Sequence, residues 1–131
     1  MKTKAEYDLI TSKIIGLCIE VHKELGPGLL ESVYEICLCK LLIDAGLKIE
    51  FQKQLPITFR GEKLNKNFYV DILVEDLIII ELKSVEYVAP IFEAQLLTYL
   101  RLADKKLGLL INFNVVLLKD GIKRIINGTL L

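Results

Sequence analysis

The sequence lacks an apolar run long enough to cross a membrane, although 53% of its residues are hydrophobic and its mean hydropathy is +0.45. The longest apolar stretch, residues 107–118, is interrupted by Asn112 and Asn114 and is shorter than the roughly 20 residues that a spanning helix needs. The charged N-terminus, MKTKAEYD, has no apolar segment of the kind found in secretion signals. We therefore expect no membrane partner, a cytoplasmic location and a sheet buried on both faces.

Cysteine and histidine are scarce, and neither forms a recognisable metal or disulfide pattern. The three cysteines, Cys18, Cys37 and Cys39, include no CxxC pair, which argues against a zinc ribbon and against a disulfide framework. We interpret all three as core residues. The single histidine, His22, lies near an apolar helix face and is interpreted as structural, with a catalytic role as the alternative.

An excess of charge of one sign is also absent, since 17 basic residues balance 17 acidic ones. Proteins that bind nucleic acid non-specifically usually present a basic surface, so this balance counts against nucleic-acid binding unless a local basic patch exists. The dipeptides Lys105-Lys106 and Lys123-Arg124 offer phosphate contacts, but paired basic residues are more often simply solvated.

The hydrophobic periodicity predicts a single domain over residues 1–131, without repeats or linker-like segments. Helices are predicted at residues 5–25, 29–45 and 91–103, and strands at residues 47–59, 68–74, 77–83 and 107–113, followed by a terminal hairpin turning at Asp120-Gly121. The order ααβββαβββ predicts a mixed β-sheet flanked by helices. Pro56 favours an edge or bulged position for the first strand, and an edge strand leaves pairing across a homodimer open.

A polar end on the most apolar strand, LIIIELK, marks the candidate site. Glu81 and Lys83 are two residues apart and therefore share one face of the strand. A solvated Glu-Lys ion pair explains this pattern alone about as well as a functional site does. Asp71 in the preceding strand changes the balance, because a three-residue loop at 75–77 sets it opposite Glu81, whereas a two-residue loop turns it to the other face. We therefore predict an odd-numbered loop or a bulge in this hairpin.

Two carboxylates that face one point are typical ligands of Mg²⁺ or Mn²⁺. A cation held by Asp71 and Glu81 activates water and stabilises charge on a phosphodiester. Lys83 is suited to orient that water or to neutralise the developing negative charge. These three residues therefore predict a metal-dependent hydrolytic site.

The sequence resembles the GxxExxY proteins, a branch of the PD-(D/E)XK nuclease-like superfamily, over nearly its whole length. The name-giving motif corresponds to Gly28, Glu31 and Tyr34. Other matching segments are IIGLCIEVHKELGPG, YVDILVEDLIIIELKSV, EAQLLTYLRL, GLLINFNV and LKDGIKRIING. The resemblance implies an α/β fold with a restriction-endonuclease-like core, and it assigns Asp71, Glu81 and Lys83 to the D…ExK signature.

Three further residues receive roles from the same resemblance. Glu31 corresponds to the helical acidic residue that supports the metal, and Gln95 and Tyr99 correspond to the QxxxY helix of RecB-like nucleases. From the residues alone, Gln95 and Tyr99 share a helix face. As alternatives, Tyr99 and Tyr34 are aromatic residues that pack in the core, and Glu31 is a first-turn carboxylate that interacts favourably with the positive end of its helix.

Together the residues and the resemblance predict a divalent-metal-dependent nuclease that hydrolyses phosphodiester bonds of DNA. The alternative is a catalytically silent module with the nuclease fold that binds nucleic acid or a protein partner. A positive rim around the carboxylates favours a nuclease, whereas an acidic or apolar rim favours a protein partner.

Overall fold

The computed structural model describes residues 2–131, which form three α-helices, one 3₁₀ helix and a five-stranded sheet. The elements are α1 Lys4–Leu25, α2 Glu31–Asp44, β1 Ile49–Phe59, β2 Glu62–Val74, β3 Ile78–Lys83, α3 Pro90–Ala103, β4 Leu107–Asn112, the 3₁₀ helix Leu118–Gly121 and β5 Ile122–Ile126. The strands lie side by side in chain order, and β3 and β4 run parallel while the other neighbours are antiparallel. The predicted mixed α/β fold class is confirmed.

Local chemistry sets the helix ends. Thr3 and Glu6 form a capping box at the start of α1, in which each side chain accepts a hydrogen bond from the other residue's backbone N–H. Pro90 occupies the first turn of α3, where its missing N–H costs nothing. Gly46, with a φ of +83°, follows α2 and lets the chain turn directly into β1. None of the helices within residues 2–131 has both the length and the apolar character needed to cross a bilayer.

The sheet is buried between two helical layers. On one face α1 and α2 cover the alternate β3 residues Ile78, Ile80 and Leu82. On the other face α3 packs against Ile79 through Leu96 and Leu100. All three cysteines pack in or against the α1/α2 core. The near-continuous apolar run of β3 thus reflects burial on both faces.

The last part of the chain differs from the prediction, because no hairpin turns at Asp120-Gly121. The chain leaves the sheet after Asn112, forms the 3₁₀ helix and returns as β5, so the sheet has five strands within residues 2–131 instead of six. Asp-Gly is typical of tight hairpin turns, but here Gly121 serves a close approach. A Cβ atom at Gly121 would lie 2.1 Å from the carbonyl oxygen of Asn112.

The β1–β2 hairpin extends beyond the rest of the sheet. The strand predicted at 68–74 begins at Glu62, and none of its first ten residues pairs with β3, whereas most of them pair with β1. Polar, exposed residues in this segment gave no alternating pattern. The predicted edge position of β1 and its irregularity near Pro56 are both present, since the register shifts between Pro56 and Thr58.

Candidate active site

The candidate site lies where β2 and β3 stop pairing. Their ladder runs from Val74–Ile78 to Ile72–Ile80 and leaves a three-residue loop at 75–77, as predicted, so Asp71 comes level with Glu81. Beyond this point side chains replace backbone pairs. The Asp71 N–H donates to Oε1 of Glu81 at 3.2 Å, and the Leu82 N–H donates to Oδ2 of Asp71 at 2.8 Å. The two carboxylates thus lie in the gap between the strands.

Both strands of the hairpin change face at this level. Ile49 of β1 packs against the α1/α2 core, whereas Leu55, an even number of residues away, packs against the α3 core. In β2, Ile72 packs on the α1/α2 side and Val70 on the α3 side. Regular alternation would keep each pair on one face. In β2 the change of face occurs at Asp71, between Val70 and Ile72. The Asp71 side chain is therefore not confined to one face of the sheet.

A strained residue accompanies this switch. Gln52 lies opposite Asp71 and has a φ of +50°, a left-handed conformation that costs a non-glycine residue about 1–2 kcal/mol. Its side-chain amide donates to Oε2 of Glu35 at 3.2 Å. Nothing in the sequence predicts this conformation. The next residue, Lys53, is the one polar member of the alternating apolar series from Leu47 to Phe59.

Glu35 of α2 is the functional candidate that the sequence analysis missed. It is only 7% exposed, and Asp71 lies within hydrogen-bonding reach of its carboxyl group. Glu35 follows Glu31 by four residues, so both occupy one helix face. That spacing was the available signal, and the GxxExxY pattern drew attention to Glu31 instead.

Burial and the charge of Asp71 perturb the pKa values of Glu81 and Glu35. Burial, followed by the charge of Asp71, raises the pKa of Glu81 to about 9. The same two causes in the same order raise the pKa of Glu35 to about 7. No Lys or Arg within residues 2–131 forms an ion pair with any of the three. The cluster therefore concentrates carboxylate oxygens with little compensating positive charge.

Lys83 and Tyr99 approach the cluster from the α3 side. The Lys83 ammonium lies 4.4 Å from the centroid of the Phe92 ring, a cation–π contact, and its charge partly offsets the raised pKa of Glu81. Burial, then the charges of Glu81 and Asp71, raise the pKa of Tyr99. Gln95 is exposed, and its side chain opposes this increase in the pKa of Tyr99.

Glu31 lies at the rim of the site and not within the cluster. It is exposed, and its Oε1 accepts a long hydrogen bond of 3.4 Å from the N–H of Ser84, the residue after β3. The Ser84 hydroxyl donates to the carbonyl of Leu29 at 2.6 Å. The Tyr34 hydroxyl accepts from the Leu29 N–H and donates to the Gly26 carbonyl. The segment with Gly28, Glu31 and Tyr34 therefore ties the α1–α2 connection to the end of β3.

Asn112 secures the same strand end from the β4 side. Its side chain is buried and bonds both the N–H and the carbonyl of Val85, at 3.0 and 2.9 Å. The Phe113 N–H donates to the carbonyl of Lys83 at 2.9 Å. His22, by contrast, is turned away, with Nε2 at 2.8 Å from the carbonyl of Val115. The backbone of Lys83 is therefore held by Phe113, and the chain two residues later, at Val85, is held by Asn112.

The chemistry of the cluster fits a hard divalent cation. No three His, Cys, Asp or Glu side chains in the described part of the chain already converge as a metal cage. However, the backbone hydrogen bonds engage only Oδ2 of Asp71 and Oε1 of Glu81, which leaves a second oxygen on each carboxylate. Oxygen donors of this kind are the ligands that Mg²⁺ and Mn²⁺ prefer, and Mg²⁺ usually keeps several waters as well.

Comparison with known proteins identifies the superfamily and the fold. A family model for the PD-(D/E)XK nuclease superfamily matches residues 8–125, and the chain belongs to that superfamily. Among solved structures, the crystal structure of SSO0001 is similar, with a TM-score of 0.51 and 20% identity over 76% of this chain. The chain spans about half of SSO0001, 50% of its length, and a likeness at this identity shows the fold alone. No curated protein matches the chain.

Proposed function

We propose that the protein is a divalent-metal-dependent nuclease that hydrolyses phosphodiester bonds of DNA. The observation that supports this most is the position of the Asp71 and Glu81 carboxylates in the β2–β3 gap, with the Glu35 carboxyl group of α2 beside Asp71 and the charge of Lys83 near Glu81. Nucleases of this superfamily typically use divalent metals. Membership of the GxxExxY branch, a cytoplasmic location and a possible homodimer remain predictions.

In this proposal Asp71 and Glu81 hold Mg²⁺ or Mn²⁺, and Glu35 or Glu31 supplements them from α2. Of these two, Glu35 is the one within hydrogen-bonding reach of Asp71. When bound, the cation lowers the pKa of a water molecule and neutralises charge on the phosphodiester. Glu81 and Glu35, whose pKa values are raised by burial and by the charge of Asp71, would be stabilised in their ionised forms next to such a cation, as would Asp71.

The remaining residues act on substrate directly or through their neighbours. Lys83, a catalytic residue in this proposal, is placed to orient water or to stabilise the negative charge that develops on phosphate. The contact with Phe92 holds its ammonium on the α3 side of the strand. Tyr99 and Gln95 supply a hydroxyl and an amide on one face of α3, suited to hydrogen bonds with phosphate or sugar oxygens.

A second candidate function is a catalytically silent nuclease-fold module that binds nucleic acid or a protein partner. The feature that favours it is the engagement of Asp71 and Glu81 with backbone amides, which gives both carboxylates a structural use. The two functions differ in one measurable respect, since the silent module cleaves nothing.

Cleavage of supercoiled plasmid and of circular single-stranded DNA, with Mg²⁺ or Mn²⁺, distinguishes the two functions. We expect the wild type to cut, and Asp71→Asn and Lys83→Met to lose at least about a hundredfold in rate, the usual scale for losing one charge-stabilising group. Glu24→Gln, an exposed change away from the cluster, serves as the control and retains full activity. Absence of cleavage by the wild type with both metals, or cleavage that survives in Asp71→Asn, rules out the proposed reaction at this site.

A further inference from the structure

The tip of the β1–β2 hairpin is a projecting two-stranded ribbon, residues 58–67, which we name the arm. Every residue of the arm is exposed. Its strands pair through Thr58–Lys63 and Phe59–Glu62, Lys66 lies where the register with β1 shifts, and no residue of the arm pairs with β3. Arg60 and Gly61 turn the arm with φ angles of +51° and +81°, the sign that a two-residue type I′ turn requires. The arm therefore contributes little to the core and stands out into solvent.

The arm carries positive charge that is not neutralised. It contains the basic residues Arg60, Lys63 and Lys66 against the single acidic residue Glu62, in a chain whose total charge is zero. None of the three basic residues forms an ion pair within residues 2–131. The guanidinium of Arg60 instead lies over the exposed Phe59 ring, 5.5 Å from its centroid. The local basic patch that the overall composition hides is thus present here.

Of the four basic residues in the two dipeptides, Lys105-Lys106 and Lys123-Arg124, three are already paired. Lys105 lies 3.1 Å from Asp76, Lys123 lies 3.7 Å from Glu93, and Arg124 lies 2.6 Å from Asp8. Their charges are therefore partly compensated by side chains of the same chain. The arm, by contrast, groups three basic residues without an ion pair, Arg60, Lys63 and Lys66, within seven consecutive positions.

The arm extends from the end of the sheet at which the candidate site lies. It begins beyond Asp71 on β2, at the end where β3 finishes with Lys83. At about 3.3 Å per residue, Lys66 and Lys63 lie roughly 17 and 26 Å along the strand from Asp71, which corresponds to about five to eight base pairs of duplex. DNA that is bound at the carboxylates and runs along β2 would pass within reach of the arm.

We propose that the arm binds the phosphate backbone of duplex DNA, with Arg60, Lys63 and Lys66 as the phosphate contacts. This inference rests on the proposed function, since it supplies the substrate-holding surface for that site. A duplex is the partner that the shape favours, because a two-stranded β-ribbon fits the major groove, which is about 12 Å wide. Cationic side chains along the ribbon then meet phosphates that line the groove.

The test measures the salt dependence of binding by fluorescence anisotropy in EDTA, with a labelled duplex of about 20 base pairs, or two helical turns. The variant Arg60→Gln/Lys63→Gln/Lys66→Gln is compared with Lys13→Gln/Lys23→Gln/Lys40→Gln, an equal charge change at exposed helix positions. Each phosphate contact adds about 0.9 to the slope of log affinity against log salt. Between about 50 and 200 mM salt, the wild type should therefore lose roughly 40-fold more affinity than the arm variant.

The helix variant is expected to keep the wild-type slope, and Lys66→Gln alone should reduce the slope by about 0.9. An arm variant that matches the helix variant would overturn the proposal, as would a wild type without duplex binding or a defect confined to single-stranded DNA. Wild type that binds duplex through the arm but cleaves nothing with Mg²⁺ or Mn²⁺ supports the arm and contradicts the proposed reaction. Asp71→Asn should retain duplex binding in EDTA, which separates the two surfaces.

Discussion

The backbone N–H of Leu82 donates a hydrogen bond to the Asp71 carboxylate at 2.8 Å, across the gap where β2 and β3 no longer pair. The Asp71 side chain thus replaces a backbone hydrogen bond that is absent between the two strands. Asp71 therefore has a structural role as well as a chemical one. Asp71→Ala removes the acceptor for this N–H and should destabilise the metal-free protein by roughly 1–3 kcal/mol. Asp71→Asn keeps an acceptor oxygen and removes a negative charge, so we expect its free energy of unfolding to match or exceed that of the wild type.

Urea denaturation of both variants measures this difference. Equal destabilisation by Ala and Asn would contradict the structural role of the Asp71–Leu82 bond. Because neither variant is expected to bind metal normally, loss of activity in Asp71→Asn with full stability would separate chemistry from folding.

The stability of the metal-free protein should depend on pH in an unusual direction for carboxyl groups. The pKa of Glu81 is raised to about 9 and that of Glu35 to about 7, so between about pH 5 and 9 the folded state holds protons that the unfolded chain has released. The free energy of unfolding should therefore fall as pH rises through this window, with both groups contributing below about pH 7 and mainly Glu81 above it. Urea unfolding at a series of pH values in EDTA measures the slope.

Glu81→Gln and Glu35→Gln should each flatten part of this dependence, because the amide does not titrate. Glu24→Gln should leave it unchanged, since Glu24 is exposed on α1 and has no part in the cluster. Stability that stays level or increases from pH 5 to 9 in the wild type would show that the carboxyl groups are ionised without cost in the folded protein.

The parts of the site that follow from side-chain alternation along a strand could be predicted, whereas those that depend on tertiary contacts could not. The loop length at 75–77 followed from side-chain alternation, because only an odd loop turns Asp71 toward Glu81. The face switch at Gln52 could not follow from the same rule, since it depends on a left-handed residue that has no local preference for that conformation. The hydrogen bond from the side-chain amide of Gln52 to Glu35 is a tertiary contact, which local sequence does not specify.

The prediction failed at the end of the chain for a different physical reason. Asp120-Gly121 has the composition of a hairpin turn, yet Gly121 is needed because the chain passes close to the Asn112 carbonyl. Glycine is suited both to a tight turn and to a position where another backbone segment comes close. Composition alone does not distinguish the two. Glu35 was missed similarly, because a helical glutamate four residues after Glu31 is equally typical of a solvated face.

The close approach at Gly121 gives a stability prediction. Gly121→Ala places a methyl group 2.1 Å from the Asn112 carbonyl oxygen, so backbone must move, and we expect a loss of roughly 2–4 kcal/mol. Gly16→Ala is the matched control in the exposed interior of α1, where the added methyl meets nothing within 4 Å. It should stabilise the protein by about 0.5–1 kcal/mol. Thermal unfolding that ranks the two variants in the opposite order would contradict the packing described here.

The hydroxyl bridge of Tyr34 gives a prediction about the tie between the α1–α2 connection and β3. Tyr34→Phe removes the bonds to Gly26 and Leu29 and should cost about 1–2 kcal/mol of stability, while the ring keeps its stack on Phe113. Tyr87→Phe, at a highly exposed ring, should cost nothing measurable. If Tyr34→Phe unfolds at the same urea concentration as the wild type, the bridge contributes no stability.

Isothermal calorimetry of Mn²⁺ binding to the wild type, Asp71→Asn and Glu24→Gln tests the central claim most directly, namely that the carboxylates in the β2–β3 gap bind a divalent cation. We predict binding by the wild type and by Glu24→Gln with equal affinity, and loss of binding in a folded Asp71→Asn. A wild type that binds no Mn²⁺ at about 1 mM, the weak end of protein sites for divalent cations, would contradict the claim. The same conclusion would follow if Asp71→Asn bound the ion as tightly as the wild type.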